Sequence, residues 1–188
     1  YEPGSVFKPI TIAASVDQGK IGPQTTYTDT GKVEIDGYVI QNSDKKAHGV
    51  QTMTQALEES LNTGMIFAKE HIGNAKFSDY VRKFGFGKKT GIELPESAGS
   101  LSNLEGKIKV NYHTATFGQG ISVTPIQIAQ AYGALANKGT MMKPFIVQTK
   151  FDAEGKSIMT EPQKVDQPIS ERTASTVSAM MVNVVENG

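Results

Sequence analysis

The 188-residue sequence predicts a single domain of the α+β class that is mainly helical, with its strands at the periphery. Six segments place apolar residues at the three-to-four-residue spacing of a helix that buries one face. Two further segments alternate between apolar and polar residues around short turn sequences, which is typical of β-hairpins. The length is sufficient to bury a sizeable core.

The first predicted helix begins near Ser5 and ends at Gly19. Pro3 and Gly4 form the turn that leads into it. Pro9 falls in the first helical turn, where the N–H group that proline lacks would have no partner within the helix anyway. The apolar residues of this helix are Phe7, Ile10, Ile12, Ala13, Ala14 and Val16.

A hairpin and three short helices follow along the chain. Residues 33–35 and 38–40 alternate in polarity around Asp36 and Gly37, a strong signal for a two-residue turn. The three helices are predicted over residues 52–59, 64–72 and 76–84. Thr52 has a glutamine three residues later, the spacing of a capping box.

The second half of the chain begins with a predicted long loop over residues 88–112, which are rich in Gly, Ser, Asn and Pro. Gly118 and Gly120 are predicted to shape a turn before the next helix. That helix follows Thr124, which has capping-box spacing to Gln127. A second hairpin is predicted over 145–150 and 156–160, and a last helix over 171–186.

The composition bounds the function classes that fit this chain. Nineteen basic residues balance nineteen acidic ones, so neither nucleic acid nor an anionic membrane surface is indicated as a partner. Cysteine is absent, which suits an exported protein and many cytosolic proteins alike. His48, His71 and His113 are far apart in the sequence and lack carboxylates at ligand spacing, so no metal site is predicted.

The pair with the clearest chemical meaning is Ser5 and Lys8, at the start of the first helix. On a helix, residues three apart are neighbours on one face. A serine hydroxyl is a poor nucleophile until a base takes its proton, and a lysine can be that base when burial lowers its pKa. The apolar neighbours of Lys8 favour such burial.

Taken alone, the Ser-x-x-Lys spacing is a weak signal. An N-capping serine followed by a surface lysine would give the same sequence pattern. A second copy, Ser43 to Lys46, lies in a polar segment with no helix to fix its geometry, and it is predicted to be a solvated loop.

A second group of polar residues, Ser60 and Asn62, lies at the junction between two predicted helices. Side chains at such a junction can point into a cleft, where a hydroxyl relays protons and a carboxamide binds a lysine and a substrate amide. Serine and asparagine are also favoured at helix ends for capping, so both interpretations stay open from these residues alone.

Together and in this order, the two motifs resemble those of the class B penicillin-binding proteins. The resemblance extends over nearly the whole chain through three further segments: residues 1–5 before the nucleophile, Phe84–Gly87 with Lys89–Pro95, and Phe117–Gln127. It implies part of the transpeptidase fold of penicillin-binding proteins and serine β-lactamases, with most of the central sheet outside residues 1–188.

The third motif of that family, Lys-Thr-Gly or Lys-Ser-Gly on a strand, is matched in letters by Lys89-Thr90-Gly91. We reject this match because the segment follows a glycine-rich loop and ends at Pro95, a poor context for an inner strand. We therefore expect residues 1–188 to be a partial transpeptidase domain, an internal fragment that ends before the third motif.

The resemblance implies a peptidoglycan D,D-transpeptidase with four catalytic residues. Ser5 would be the nucleophile, Lys8 its general base, Ser60 a proton relay, and Asn62 the residue that orients Lys8 and the substrate amide. No metal or organic cofactor is implied. The fragment alone is expected to be inactive, because one donor of the oxyanion hole would come from the third motif.

The implied partners are the D-alanyl-D-alanine end of a peptidoglycan stem peptide, β-lactam antibiotics, and divisome or elongasome membrane proteins. The implied location is the outer, periplasmic side of the cell membrane. Two alternatives stay open: a non-catalytic β-lactam sensor or scaffold, and a serine β-lactamase. The β-lactamase would need a carboxylate that activates water, and neither Glu58 nor Glu59 is identified as one.

Overall fold

A computed structural model describes all residues, 1–188, as seven α-helices and eight short strands. The helices are α1 (Lys8–Asp17), α2 (Met53–Glu58), α3 (Asn62–Glu70), α4 (Gly73–Lys83), α5 (Lys109–Ala115), α6 (Pro125–Ala136) and α7 (Glu171–Asn187). The strands are β1 (Thr26–Asp29), β2 (Lys32–Ile35), β3 (Tyr38–Gln41), β4 (Gly49–Thr52), β5 (Met141–Met142), β6 (Thr149–Phe151), β7 (Ser157–Met159) and β8 (Lys164–Asp166).

The strands form four separate antiparallel pairs, β1–β4, β2–β3, β5–β8 and β6–β7, and none belongs to a larger sheet. The predicted mixed fold, mainly helical with peripheral strands, is therefore confirmed. None of the helices combines the length and the apolar character that crossing a membrane requires.

Helix α1 is the central element of the core. Its residues from Lys8 to Ser15 are all buried, and it packs against α3, α4 and α7. A 3-10 turn over Gly4–Phe7 leads into it, so Ser5 lies on this turn and Pro9 lies in the first turn of α1. The predicted helix end is confirmed, because Gly19 adopts a φ of 64°.

The far end of α1 is joined to two other helices through one carboxylate. Asp17 accepts hydrogen bonds from the Ser170 N–H (2.8 Å), the Thr173 hydroxyl (2.8 Å) and the Tyr80 hydroxyl (2.6 Å). These donors belong to α4, to α7 and to the residue that caps α7. The carboxylate therefore stabilises the packing of the helices at the end of α1 opposite Ser5.

Both predicted capping boxes are confirmed. At the start of α2, the Thr52 side chain accepts from the Gln55 N–H while the Gln55 side chain accepts from the Thr52 N–H. Thr124 and Gln127 form the same reciprocal pair at the start of α6. Each box satisfies two N–H groups that a helix leaves unpaired at its beginning.

The predicted hairpins are confirmed as β2–β3 and β6–β7, although β6 begins at Thr149, later than predicted. Between β2 and β3, Asp36 and Gly37 have φ values of 50° and 81°, the left-handed pair that a tight two-residue turn requires.

The predicted loop over residues 88–112 is partly wrong, because it contains the start of α5. This helix has only seven residues, and contacts from outside it fix its position. The Tyr112 hydroxyl is within 2.9 Å of the carbonyl oxygens of both Leu104 and Gly106, and His113 Nε2 lies 2.7 Å from Glu70 Oε1 on α3. The strand pairs β1–β4 and β5–β8 were also not predicted.

Candidate active site

Ser5, Lys8 and Ser60 line one cavity of about 270 Å³. Its other walls come from α2, α6 and α7, through residues that include Glu58, Tyr132 and Met181. The fold therefore brings together three of the four residues that the sequence predicts to be catalytic, although Ser60 is more than fifty positions from the others along the chain.

Lys8 connects the two motifs directly. Its Nζ donates hydrogen bonds to the backbone carbonyl oxygen of Ser60 and, at 2.8 Å, to Ser60 Oγ. Only 1% of Lys8 is exposed to solvent, and burial lowers its pKa to about 8. A lysine in this state supplies a useful fraction of neutral amine near neutral pH, as a general base must.

The backbone of Ser60 is strained. Its φ is 54°, in the left-handed region that residues other than glycine, asparagine and aspartate seldom occupy. Such a conformation costs on the order of 1–3 kcal/mol and persists where the surrounding structure enforces it, often at functional sites. Here both the carbonyl oxygen and the hydroxyl of Ser60 lie against Lys8.

Asn62 faces a different neighbour from the one predicted. It is the first residue of α3, and its Nδ2 donates a 2.8 Å hydrogen bond to the carbonyl oxygen of Gln41 at the end of β3. It makes no hydrogen bond with Lys8, so the predicted orientation of Lys8 by Asn62 is not made in this structure. Its role toward a substrate amide stays a prediction.

The segment that carries Ser5 is held by the turn before α6. Gly4 N–H donates to the Gly118 carbonyl oxygen at 3.0 Å, and Val123 N–H donates to the Tyr1 carbonyl oxygen at 2.9 Å. The Glu2 carboxylate accepts from Gly120 N–H at 2.8 Å. The prediction that these glycines shape a turn is confirmed, but the sequence did not indicate that the turn supports the nucleophile segment.

Tyr132 on α6 provides a further support that the sequence analysis missed. Its hydroxyl donates a 2.8 Å hydrogen bond to the Val6 carbonyl oxygen, between Ser5 and Lys8, and its ring lines the same cavity. Burial raises the pKa of Tyr132, so the hydroxyl stays protonated and remains a donor at neutral pH.

The Tyr132→Phe substitution removes this hydrogen bond and leaves the ring in place. We expect the free energy of unfolding to fall by about 0.5–1.5 kcal/mol. For a chain of this size, each kcal/mol lost lowers the melting temperature by roughly 2–4 °C. Thermal unfolding is the measurement. Tyr38→Phe is the matched control, because Tyr38 is 62% exposed and makes no side-chain hydrogen bond; equal effects of the two substitutions would contradict the assigned contact.

The lowered pKa of Lys8 predicts how acylation depends on pH. Below pH 8 most Lys8 side chains are protonated and cannot accept the Ser5 proton, so the rate of reaction with benzylpenicillin rises with pH. Between pH 7 and pH 9 the neutral fraction, and with it the rate, should increase by about tenfold. Thermal unfolding over the same range controls for loss of folded protein, and a flat profile would contradict Lys8 as the base.

The segments rejected on sequence grounds lie in loops. Lys89-Thr90-Gly91 belongs to no strand, and the Glu96 carboxylate accepts hydrogen bonds from the Thr90 N–H, the Thr90 hydroxyl and the Gly91 N–H. Ser43 to Lys46 form the turn after β3, as predicted. The structure contains no group of three His, Asp or Glu residues placed to hold a metal ion.

The model of the penicillin binding protein transpeptidase domain family matches residues 1–188. The chain belongs to this family. Stage V sporulation protein D of Bacillus subtilis is 37% identical over 192 residues, which cover all of this chain and 30% of that protein. Penicillin-binding protein PbpB of Mycobacterium tuberculosis is 32% identical over 190 residues, which cover 28% of that protein.

Similar chains of known structure have the same fold. Penicillin binding protein 3 from Mycobacterium tuberculosis, complexed with aztreonam, matches with a TM-score of 0.92 and 30% identity over all of this chain and 42% of that chain. A peptidoglycan glycosyltransferase of Atopobium parvulum matches with a TM-score of 0.89 and 34% identity, and 44% of it is covered. The chain thus spans less than half of these structures and about 30% of its curated relatives.

Proposed function

We propose that the protein carrying this chain is a peptidoglycan D,D-transpeptidase that forms an acyl-enzyme on Ser5. The observation that carries the proposal is the contact of the buried Lys8 amine with Ser60, beside Ser5 in one cavity. Membership of the transpeptidase family supports it, and a relative in Acinetobacter baumannii, 27% identical, is named peptidoglycan D,D-transpeptidase MrdA.

In the proposed mechanism, neutral Lys8 accepts the Ser5 hydroxyl proton while Ser5 Oγ attacks the carbonyl carbon of the penultimate D-alanine. The peptide bond to the terminal D-alanine breaks, and its amine takes a proton relayed from Lys8 through Ser60 Oγ. The resulting ester is then attacked by the amine of a second stem peptide, which forms the cross-link and returns the proton to Ser5.

The Ser5 N–H, at the beginning of a helical segment, would be one donor to the oxyanion. The second donor would come from a third motif outside residues 1–188, because Lys89-Thr90-Gly91 lies in a loop. Loss of one such donor typically lowers the rate by about 10² to 10³-fold. We therefore expect the 188-residue chain by itself to be inactive in cross-linking.

β-Lactams are proposed as covalent ligands of the same serine. Ser5 Oγ would bond to the lactam carbonyl carbon, the ring C–N bond would break, and the freed nitrogen would take the proton. Solved relatives complexed with aztreonam and ampicillin support this proposal. We also propose, from the family resemblance, a location on the outer side of the cell membrane and partners among divisome or elongasome membrane proteins.

The two alternative functions differ from the transpeptidase in the fate of the acyl-enzyme. A β-lactamase needs a carboxylate that activates water, and Glu58 lines the cavity without a hydrogen bond to Ser5, Lys8 or Ser60. No observation therefore favours the β-lactamase. A sensor or scaffold would be acylated, release the adduct slowly and make no cross-links.

The test is release of D-alanine from a synthetic pentapeptide stem ending in D-alanyl-D-alanine, with a stem-peptide amine as acceptor. We expect the full-length protein to release D-alanine and to form the cross-linked product. Acylation by benzylpenicillin with neither D-alanine release nor product would indicate the sensor, and rapid hydrolysis of benzylpenicillin would indicate the β-lactamase.

A further inference from the structure

A buried carboxylate is hydrogen-bonded to Thr63, the residue after the Ser60–Asn62 motif, and does not line the cavity. Asp29, the last residue of β1, is 1% exposed. Its Oδ1 accepts hydrogen bonds from the Thr63 hydroxyl (2.7 Å) and the Gly31 N–H (2.9 Å). Its Oδ2 accepts from Asn42 Nδ2 and the His48 N–H, both at 2.9 Å. These four donors saturate the carboxylate.

The charge on Asp29 is therefore a stable feature of the fold. Burial by itself would raise the pKa of Asp29, but the hydrogen bonds from its four donors hold the pKa below the usual value. The group is consequently an acceptor at every oxygen lone pair at neutral pH, and a neutral carboxamide could not replace it without leaving donors unpaired.

The most direct link from Asp29 to the motif runs through Thr63, the residue after Asn62. Because the single Thr63 hydroxyl proton goes to Asp29, the Tyr27 hydroxyl at 3.1 Å must be the donor to Thr63 Oγ1. The Thr63 N–H donates to Asn42 Oδ1 at 3.3 Å. The first turn of α3 is thus fixed by contacts that converge on Asp29.

A second link runs through β3. Asn42 N–H donates to the Gly31 carbonyl oxygen at 3.0 Å, and both residues also bind Asp29 through donors of their own. The neighbouring Gln41 carbonyl oxygen then accepts the 2.8 Å hydrogen bond from Asn62 Nδ2. The cluster therefore fixes the acceptor that holds the Asn62 side chain.

From these contacts we propose that Asp29 is a positioning residue for the transpeptidase reaction, because it keeps the Ser60–Asn62 motif in place relative to Lys8. The inference rests on the proposed function, since it assigns a task in the same reaction. Asp29 makes no hydrogen bond with the residues that line the cavity, and it acts through Thr63, Asn42 and Gln41.

The Asp29→Asn substitution tests the proposal. The amide has nearly the same shape, but its NH₂ group faces two donors where the carboxylate oxygen accepted. We expect the first turn of α3 to shift, and since a misplacement of about 1 Å can lower a rate by about 10²-fold, the acylation rate constant should fall by about 10–100-fold. Stopped-flow labelling of the full-length protein with benzylpenicillin separates non-covalent binding from the acylation step.

A purely structural role would give a different result. If Asp29 only stabilised the fold, its loss would lower the fraction of protein that is labelled and leave the rate constant of the folded molecules unchanged. The matched control is Asp17→Asn, which removes a carboxylate with several donors at the far end of α1. We expect that variant to lose melting temperature with an unchanged acylation rate constant.

If Asp29→Asn does not fold, Thr63→Val is the second variant, because it deletes the hydroxyl and leaves Asp29 its other three donors. A fall in the acylation rate constant of either variant supports the proposal, and a folded variant with the unaltered rate constant overturns it. Failure of the unsubstituted protein to be acylated would instead contradict the proposed function, so the two failures are distinguishable.

Discussion

Replacing Ser5 with alanine should abolish covalent labelling by benzylpenicillin, with a loss of more than about 10³-fold in rate, because the substitution removes the oxygen that attacks the lactam carbonyl in the proposed mechanism. Lys8 remains buried against Ser60 in this variant, so binding of the antibiotic without reaction should persist. Intact-mass spectrometry of the full-length protein after incubation is the measurement.

The matched control is Ser43→Ala. Ser43 begins the second Ser-x-x-Lys sequence but lies in the turn after β3, in a segment exposed to solvent. We expect this variant to acquire one adduct at the rate of the unsubstituted protein. Labelling that survives Ser5→Ala would show that the nucleophile is elsewhere.

The second large effect is expected at Gly118, which packs against the segment that carries Ser5. Its φ is 78°, and a Cβ at this position would lie 2.3 Å from the Gly4 carbonyl oxygen and 2.6 Å from the Gly4 nitrogen. Both atoms are backbone, so they cannot move aside as a side chain can. Gly118→Ala should therefore displace residues 1–5.

For this variant we expect a loss of about 1–3 kcal/mol in stability from the forced conformation and an acylation rate lower by about 10²-fold. Acylation kinetics and thermal unfolding are measured together. Gly133→Ala is the matched control: Gly133 lies within α6 with open space at its Cβ position, so alanine should leave acylation unchanged and stabilise the helix by about 0.5–1 kcal/mol. Normal acylation by Gly118→Ala would contradict the supporting role of this turn.

The elements that the sequence predicted well are those fixed by neighbours a few residues away. The capping boxes at Thr52 and Thr124 join residues three apart, and the turn at Asp36-Gly37 depends on the backbone preferences of two residues. Helix α5 was missed because its seven residues are too few to be stable alone, so its position depends on distant contacts such as that of Tyr112 with Leu104.

In the site, too, the short motifs were predictable from the sequence, whereas the contacts between distant residues were not. The motifs identified Ser5, Lys8 and Ser60, and the structure brings these residues to one cavity. The sequence could not show that Lys8 reaches the Ser60 carbonyl oxygen, because this depends on a strained Ser60 backbone with a φ of 54°. Nor could it show that Asn62 turns toward Gln41, since that contact joins residues 21 positions apart.

The location of the benzylpenicillin adduct in the full-length protein identifies the nucleophile directly. After labelling and proteolysis, tandem mass spectrometry assigns the added mass to a residue. We expect a single adduct on Ser5, formed faster at pH 9 than at pH 7 in keeping with the lowered pKa of Lys8. An adduct on Ser60 or on any other serine, or no adduct on the folded full-length protein, would contradict Ser5 as the nucleophile.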